Sequence, residues 1–333
     1  MNKDRIGVGL IGVGRHGMRY ARHLVHDLPT ACLRAVCRRH PEQGLDLPGS
    51  SSVTVYKEPQ SLIADPLVDV IIVVTPPIYS LDICRMAVQA RKPLLIEKPL
   101  ATTVADAQAM VVLAREAEVP LMTAQTLRFD NTIQQMKTVR HRLGRSERLD
   151  LISRIEIKPT ALDHADGYGK RGAVLEIGVH MLDLVRFLTG EEVSTVRCTM
   201  DILPPAAPET TASVDLTTGG GTACRIEIAR VPVGRVGHAV WSGSHGRLEA
   251  DWGQRRLHCS DETGTSDFDL PPSQTVLATL TAFLQAVNND TPMPITGADG
   301  FRAVEMAEAC YRSAQDGGVL VTLPVLPSHS ATM

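Results

Sequence analysis

The sequence predicts an α/β protein: an N-terminal doubly wound parallel sheet, then a C-terminal α+β domain built on a large open antiparallel sheet. Three observations carry this expectation. Short apolar runs alternate with helical patterns through the first third of the 333 residues. Within that third, VDVIIVV at 68–74 is a continuous β-branched run, the pattern of a strand buried on both faces. Past residue 124 the apolar period falls to two, and GGG at 219–221 joins two alternating runs as a hairpin turn would. The expected domains are therefore 1–124 and 125–333.

Residues 6–11 (IGVGLI) form the first strand. The helix at 15–26 places Met18, Ala21, Leu24 and Val25 on one face. Strands follow at 33–37 and 53–56, then the buried run at 68–74. A helix at 79–90, a strand at 94–96, a helix at 104–117 and a strand at 120–124 complete the parallel layer. Beyond it, 151–157 (LISRIEI) alternates, as do 193–202, 211–217 and 222–228. Further strands are expected at 238–242, 247–252, 255–259 and 266–270, with helices at 273–287 and 298–316 and a loose tail (PVLPSHSATM) after them. One face of so large a sheet needs a cover, from helices or from a second copy, so a homo-oligomer, dimer or tetramer, is expected.

Composition narrows the function classes. A formal net charge of −3 disfavours a general nucleic-acid or membrane-surface binder, and no apolar run reaches membrane-spanning length. The seven cysteines stand singly with no C-x-x-C, so neither a disulfide framework nor a zinc ribbon is indicated. The N-terminal stretch lacks the pattern of a secretion signal. A soluble cytoplasmic protein acting on a small molecule is the expectation.

Between the first strand and the first helix lies Gly12-Val13-Gly14-Arg15-His16-Gly17, a G-x-G-x-x-G in strand–turn–helix context. Gly12 permits the tight turn, Gly14 lets the backbone approach a pyrophosphate, and Gly17 allows close packing of helix on strand. With Arg15 and His16 inside the turn, the helix N-terminus offers its free N–H groups to a dinucleotide phosphate. Where NAD-binding sheets of this kind end the second strand with an acidic residue, this chain has AVCRRH, with Arg38 and Arg39. An arginine forks onto a 2′-phosphate where a carboxylate would repel it. The expected cofactor is NADP, with NAD possible; the alternative is a solvated basic turn.

Two further stretches, Glu97-Lys98-Pro99 after the strand at 94–96 and GAVLEIGVH at 172–180, join GVGRHG and Thr75-Pro76-Pro77. Together they resemble the glucose–fructose oxidoreductase/inositol dehydrogenase (Gfo/Idh/MocA) family, and the resemblance runs to the ending DGFRAVEMAEACYRSAQDG. It implies a Rossmann domain followed by an α/β domain, with Lys98 and His180 as catalytic residues. It also implies that Thr75, Pro76, Glu97 and Lys98 lie at the cofactor. Glu176 stands where the family usually has aspartate, Lys170 and Arg171 replace two usual glycines, and Ser80 takes the place of a usual histidine.

Helical spacing puts Glu176, His180 and Asp183 on one polar edge, beside an apolar stripe of Ile177, Met181, Leu184, Val185 and Leu188. Gly190 closes that helix. A metal on Glu176, His180 and Asp183 is conceivable from residue type, but dinucleotide chemistry does not need one and none is expected. Arg128, in TLRF after the boundary, is expected to line the substrate cleft, with Tyr168, Asp183 and Trp241 as further contacts. The implied activity is an NAD(P)-dependent oxidoreductase that interconverts a secondary alcohol and a carbonyl on a sugar, cyclitol or related polar molecule. In it His180 serves as general base, Lys98 stabilises the reacting oxygen, and Glu176 orients His180 or meets a neighbouring hydroxyl. The alternatives are a non-catalytic dinucleotide sensor and a redox-neutral hydrolase that retains NAD.

Overall fold

The computed structural model describes residues 5–156, 166–203 and 206–324. The chain forms two compact units: Met1–Thr126 with Gln274–Val304, and Leu127–Ser273 with Glu305–Met333. The first unit thus includes a returning segment, 274–304, which the expected division at 124 assigned to the second half.

Among the described residues the first unit holds a six-stranded parallel sheet. Its strands are β1 (Ile6–Ile11), β2 (Ala31–Cys37), β3 (Thr54–Tyr56), β4 (Val70–Val73), β5 (Leu94–Glu97) and β6 (Leu121–Ala124), in the order β3-β2-β1-β4-β5-β6. Helices α1 (Gly17–His26), α2 (Pro59–Ala64), α3 (Ser80–Gln89) and α4 (Val104–Glu116) lie between them in the chain. Strand order reverses between β1 and β4, and ligands of such sheets bind beyond the carboxyl ends at that point. All four β4 side chains are buried, each contributing about 1.5–3 kcal/mol of apolar transfer. The short α2 has too few residues to display a helical period in the sequence; Pro59 starts it after the extended Glu58. In α1 the buried positions are Gly17, Tyr20, Ala21 and Leu24. Tyr20, outside the expected stripe, turns inward because its hydroxyl has a partner on β5.

The second unit begins with α5 (Asn131–Thr138), which the sequence reading missed although Asp130 caps it by accepting from Thr132 N and Ile133 N. Then come β7 (Ser146–Glu156), α6 (Val179–Thr189), β8 (Val193–Met200), β9 (Thr211–Thr218), β10 (Ala223–Val231), β11 (Val236–Gly243), β12 (Gly246–Asp251), β13 (Arg256–Asp261) and β14 (Gly264–Asp269). The chain returns through α7 (Thr275–Asn289), which packs on α1, and α8 (Gly297–Gln315) to β15 (Val321–Thr322).

The described strands of this unit pair in the order β14-β13-β12-β11-β7-β10-β9-β8-β15. This corrects the expected all-antiparallel sheet, because β7 and β10 run parallel. The strands β10 and β11, close in sequence, do not pair as a hairpin but flank β7. The 11-residue β7 buries Leu149, Leu151 and Ser153 on one face, and a central place satisfies both of its backbone edges. Helix α6 packs over β7 and β10, and α5 over β12 and β13. The opposite face carries charge ladders: Arg148 with Asp150, Arg225 with Asp215 and Glu227, Arg247 with Glu249, and His258 with Asp267.

Candidate active site

In the first unit the glycine turn is built as its spacing requires. Gly12 has φ +96°, a region open to glycine at little cost. A Cβ on Gly17 would overlap the Gly12 carbonyl oxygen, whereas one on Gly14 would meet no protein atom within 4 Å. Gly17 is therefore required by the turn's own backbone, and the space over Gly14 suits the approach of a phosphate. Helix α1 has no side-chain cap and no acidic residue in its first turn, so no charge of its own first turn would oppose an anion at its N-terminus. Gly17→Ala is expected to cost about 3 kcal/mol or more and to abolish dinucleotide binding; calorimetric melting and a cofactor titration check both.

The β5 end is held by Glu97. Its Oε1 accepts from Tyr20 Oη at 2.5 Å and pairs with His16 Nε2 at 2.6 Å, and its Oε2 accepts from Lys98 N at 3.0 Å. Burial raises the Glu97 carboxyl, but the His16 hydrogen bond and charge, the Lys98 ammonium and the Tyr20 hydroxyl together hold it below the ordinary range. Since the folded-state value is depressed, this network stabilises the fold above the ordinary glutamate range and that contribution is lost as pH falls through the lowered value. His16, expected at the cofactor, thus spends its ring on Glu97, and so couples the glycine turn to the segment carrying Lys98. Arg15 is exposed. The Lys98–Pro99 peptide is cis.

Thr75 follows β4 beside the same turn: its Cγ2 would lie 3.0 Å from a Cβ on Gly12. Its Oγ1 is buried and has no hydrogen-bond partner. A buried hydroxyl left unpaired costs about 1–3 kcal/mol, which a ligand atom at the turn would offset. The open space at Gly14, the uncapped α1 and the Thr75 hydroxyl all fit a dinucleotide. Pro76 leads into the turn Pro77–Tyr79, and the buried Ser80 starts α3. Arg38, just past β2, donates from Nη1 to Gly44 O at 2.6 Å and from Nη2 to Gln43 Oε1. Arg39 is exposed.

In the second unit GAVLEIGVH does not form one continuous α-helix. Val174–Gly178 is a π-helical turn, and α6 starts only at Val179; such turns often mark functional positions. The π turn shifts the register that would align Glu176 with His180 and Asp183. Glu176 pairs with Arg230 of β10 through Oε2 and Arg230 Nη2. His180 is half-buried, and Asp183 is 1 % exposed. Asp183 accepts both arms of the Arg128 fork, from Nε at 2.7 Å and from Nη2 at 2.6 Å. The single polar edge expected from spacing is therefore divided. Arg128 and Asp183, read from the sequence as substrate contacts, brace each other, with Arg128 also over the Phe187 ring.

Other expected contacts also find structural partners. Trp241 is buried and donates to Ser146 Oγ at 2.8 Å, so it is not a surface for a sugar. Arg171 pairs with Glu308 at 2.7 Å and lies over the Tyr311 ring. Lys170 keeps the left-handed backbone, φ +61°, that a glycine would occupy without strain. Tyr168 is half-buried. Among the described residues no group of three or more His, Cys, Asp or Glu side chains could hold a metal ion, and no helix is long and apolar enough to cross a membrane.

Two family profiles match this chain: an oxidoreductase family with an NAD-binding Rossmann fold over residues 6–125, and the C-terminal α/β domain of the same family over 165–323. The chain belongs to the Gfo/Idh/MocA oxidoreductase family. One relative in that family, the myo-inositol 2-dehydrogenase of Thermotoga maritima, is 27% identical over 93% of this chain and 96% of its own. The D-apiose dehydrogenase of Rhizobium rhizogenes is 24% identical over 95% and 97%. An oxidoreductase from Agrobacterium radiobacter, solved with NAD+, L-tartaric acid and magnesium, superposes with a TM-score of 0.83 at 23% identity, covering 96% of this chain and 98% of its own; this likeness supports the fold. As a Gfo/Idh/MocA member the chain is an oxidoreductase with an NAD-binding Rossmann unit. Sequence reasoning missed Tyr20, which holds Glu97; Arg230, which pairs with Glu176; and Tyr311, whose hydroxyl donates to the buried Glu209. Only Tyr20 left a trace, as a scarce aromatic one helical turn from Gly17.

Proposed function

We propose that this chain is an NADP-preferring dehydrogenase that interconverts a secondary alcohol and a carbonyl on a polyhydroxylated small molecule, a sugar or cyclitol. The observation that carries the reading is the presence of both Lys98 and His180 at the family's motif positions, in a chain whose relatives are named for inositol and apiose. The nicotinamide, when bound, supplies or takes up the hydride. Gly12, Gly14 and Gly17, with the α1 N-terminus and Thr75, hold the dinucleotide. Glu97 fixes the backbone of Lys98. The Lys98 ammonium donates to the reacting oxygen and stabilises its negative charge, while His180 takes the hydroxyl proton and returns it in the reverse direction. In this reading the N-terminal unit serves the cofactor and the C-terminal unit serves substrate and assembly.

NADP preference rests on Arg38 and Arg39, where a carboxylate would serve NAD. Arg38 now binds two neutral acceptors, and a phosphate is the stronger partner for a guanidinium. The test is a panel of sugars, cyclitols and sugar acids with each cofactor, read at the reduced-nicotinamide absorbance band. Turnover of a polyol with NADP supports the reading; no reduction with any member overturns it.

The charge-laced sheet face is the surface for a homo-oligomer. Because its ladders are ionic, association should weaken as salt rises. Light scattering at micromolar protein is expected to give a dimer or tetramer at low salt; a monomer there would contradict the proposal.

A further inference from the structure

We infer that Glu209 is a positioning residue for His180: it fixes the start of the helical segment that presents the imidazole. This rests on the dehydrogenase reading of His180.

Glu209 is fully buried and precedes β9, yet it satisfies three consecutive amides at the head of the GAVLEIGVH segment. Gly172 N donates to Oε2 at 2.9 Å, Val174 N donates to Oε1 at 2.9 Å, and Ala173 N donates to the Glu209 carbonyl oxygen at 2.9 Å. These are the donors that a helix start leaves unpaired, and Ala173 offers no side chain to cap them. Glu209 therefore acts as a cap supplied from 35 and 37 residues away. The approach is close enough that a Cβ on Gly172 would overlap the Glu209 backbone. That gives this motif glycine a steric reason to be glycine.

The other side of Glu209 is anchored as well. Tyr311 of α8 donates its hydroxyl to Oε1 at 2.7 Å, and Arg171 covers the Tyr311 ring while pairing with Glu308. The head of the segment is thus tied to β9's approach and to α8. Immediately past it the backbone makes the π turn and enters α6, whose second residue is His180. Removing the carboxyl would leave Gly172 N and Val174 N buried without acceptors. The first turn would then shift, and His180 with it, while the cofactor contacts of the first unit would be untouched.

The test uses Glu209→Ala, Glu209→Gln and Tyr311→Phe in the full chain. Kinetics are measured with NADP and myo-inositol, or whichever polyol the panel selects. The His180 Hε1 resonance, assigned by its loss in His180→Ala, is followed by NMR. Glu209→Ala should lower kcat by about tenfold or more, keep the KM for NADP within about twofold, and move or broaden the His180 resonance. Glu209→Gln keeps one acceptor and should fall between wild type and alanine. Tyr311→Phe leaves both amide bonds in place and should cost about two- to threefold in kcat. A folded Glu209→Ala with kcat and His180 resonance unchanged would overturn the inference. If that variant does not fold, unchanged kcat and resonance in both Glu209→Gln and Tyr311→Phe would overturn it. Should the wild type turn over no polyol, the dehydrogenase reading fails, and the resonance comparison alone then decides whether Glu209 positions His180.

Discussion

Lys98→Ala and His180→Ala are each expected to lower kcat by about 100-fold or more. Both side chains are half-buried at the ends of elements rather than inside the core, so truncation should leave the fold and its melting temperature nearly unchanged. The loss should fall on kcat rather than on the KM for cofactor, because the roles proposed for both residues act on charge that develops in the transition state. On the proposed roles, Lys98→Ala loses an ammonium at the reacting oxygen, and His180→Ala loses the acceptor of the hydroxyl proton. If both act on one oxygen, as proposed, the double variant should be much less than additive. Steady-state kinetics with a cofactor-binding titration separate these effects. A His180→Ala enzyme with near-normal turnover would sink its assignment as the base.

Arg38→Asp is expected to shift the NADP/NAD preference by more than about 100-fold toward NAD. A charge-assisted contact to the 2′-phosphate is worth about 1.5–3 kcal/mol. The substitution removes it, adds repulsion, and offers the 2′-OH of NAD a carboxylate. Arg38 is the better placed of the two arginines, as it follows β2 directly and its guanidinium already holds the Pro41–Gln43 turn through Gln43 and Gly44. Its loss should therefore loosen that turn too, which Arg39→Ala should not do. Both cofactors must be compared at one ionic strength, because the exposed part of this interaction is screened. If the unaltered protein binds NAD as tightly as NADP, Arg38 is a turn brace and not a phosphate clamp.

The parallel sheet, the glycine turn and the motif positions of Lys98 and His180 are all legible in the amino-acid sequence. Each is a local matter. A buried parallel strand must be apolar on both faces, so β4 announces itself as VIIV. The turn from β1 to α1 works through steric conditions within six residues, and those conditions are written as glycines. The antiparallel runs are legible for the same reason, since period two is set within each strand.

What the sequence did not determine depends on partners far along the chain. By helical period Asp183 stands beside His180, but Arg128 draws it into a buried fork, and a π turn breaks the register that would line up Glu176. Strand β7 reads as an ordinary alternating strand, yet it comes to lie between β10 and β11, because a long central strand leaves no unpaired edge. Glu209 has no local signature, as its three amide partners lie more than thirty residues before it and Tyr311 about a hundred after. By itself the sequence determined the parallel layer, the glycine turn and most of the alternating strands, and it placed Lys98 and His180 at motif positions. Only the tertiary structure decided which polar groups pair with one another, as Arg128 does with Asp183 and Glu176 with Arg230. A buried donor or acceptor must find a partner wherever the fold brings one, and no spacing rule within a segment records where that is.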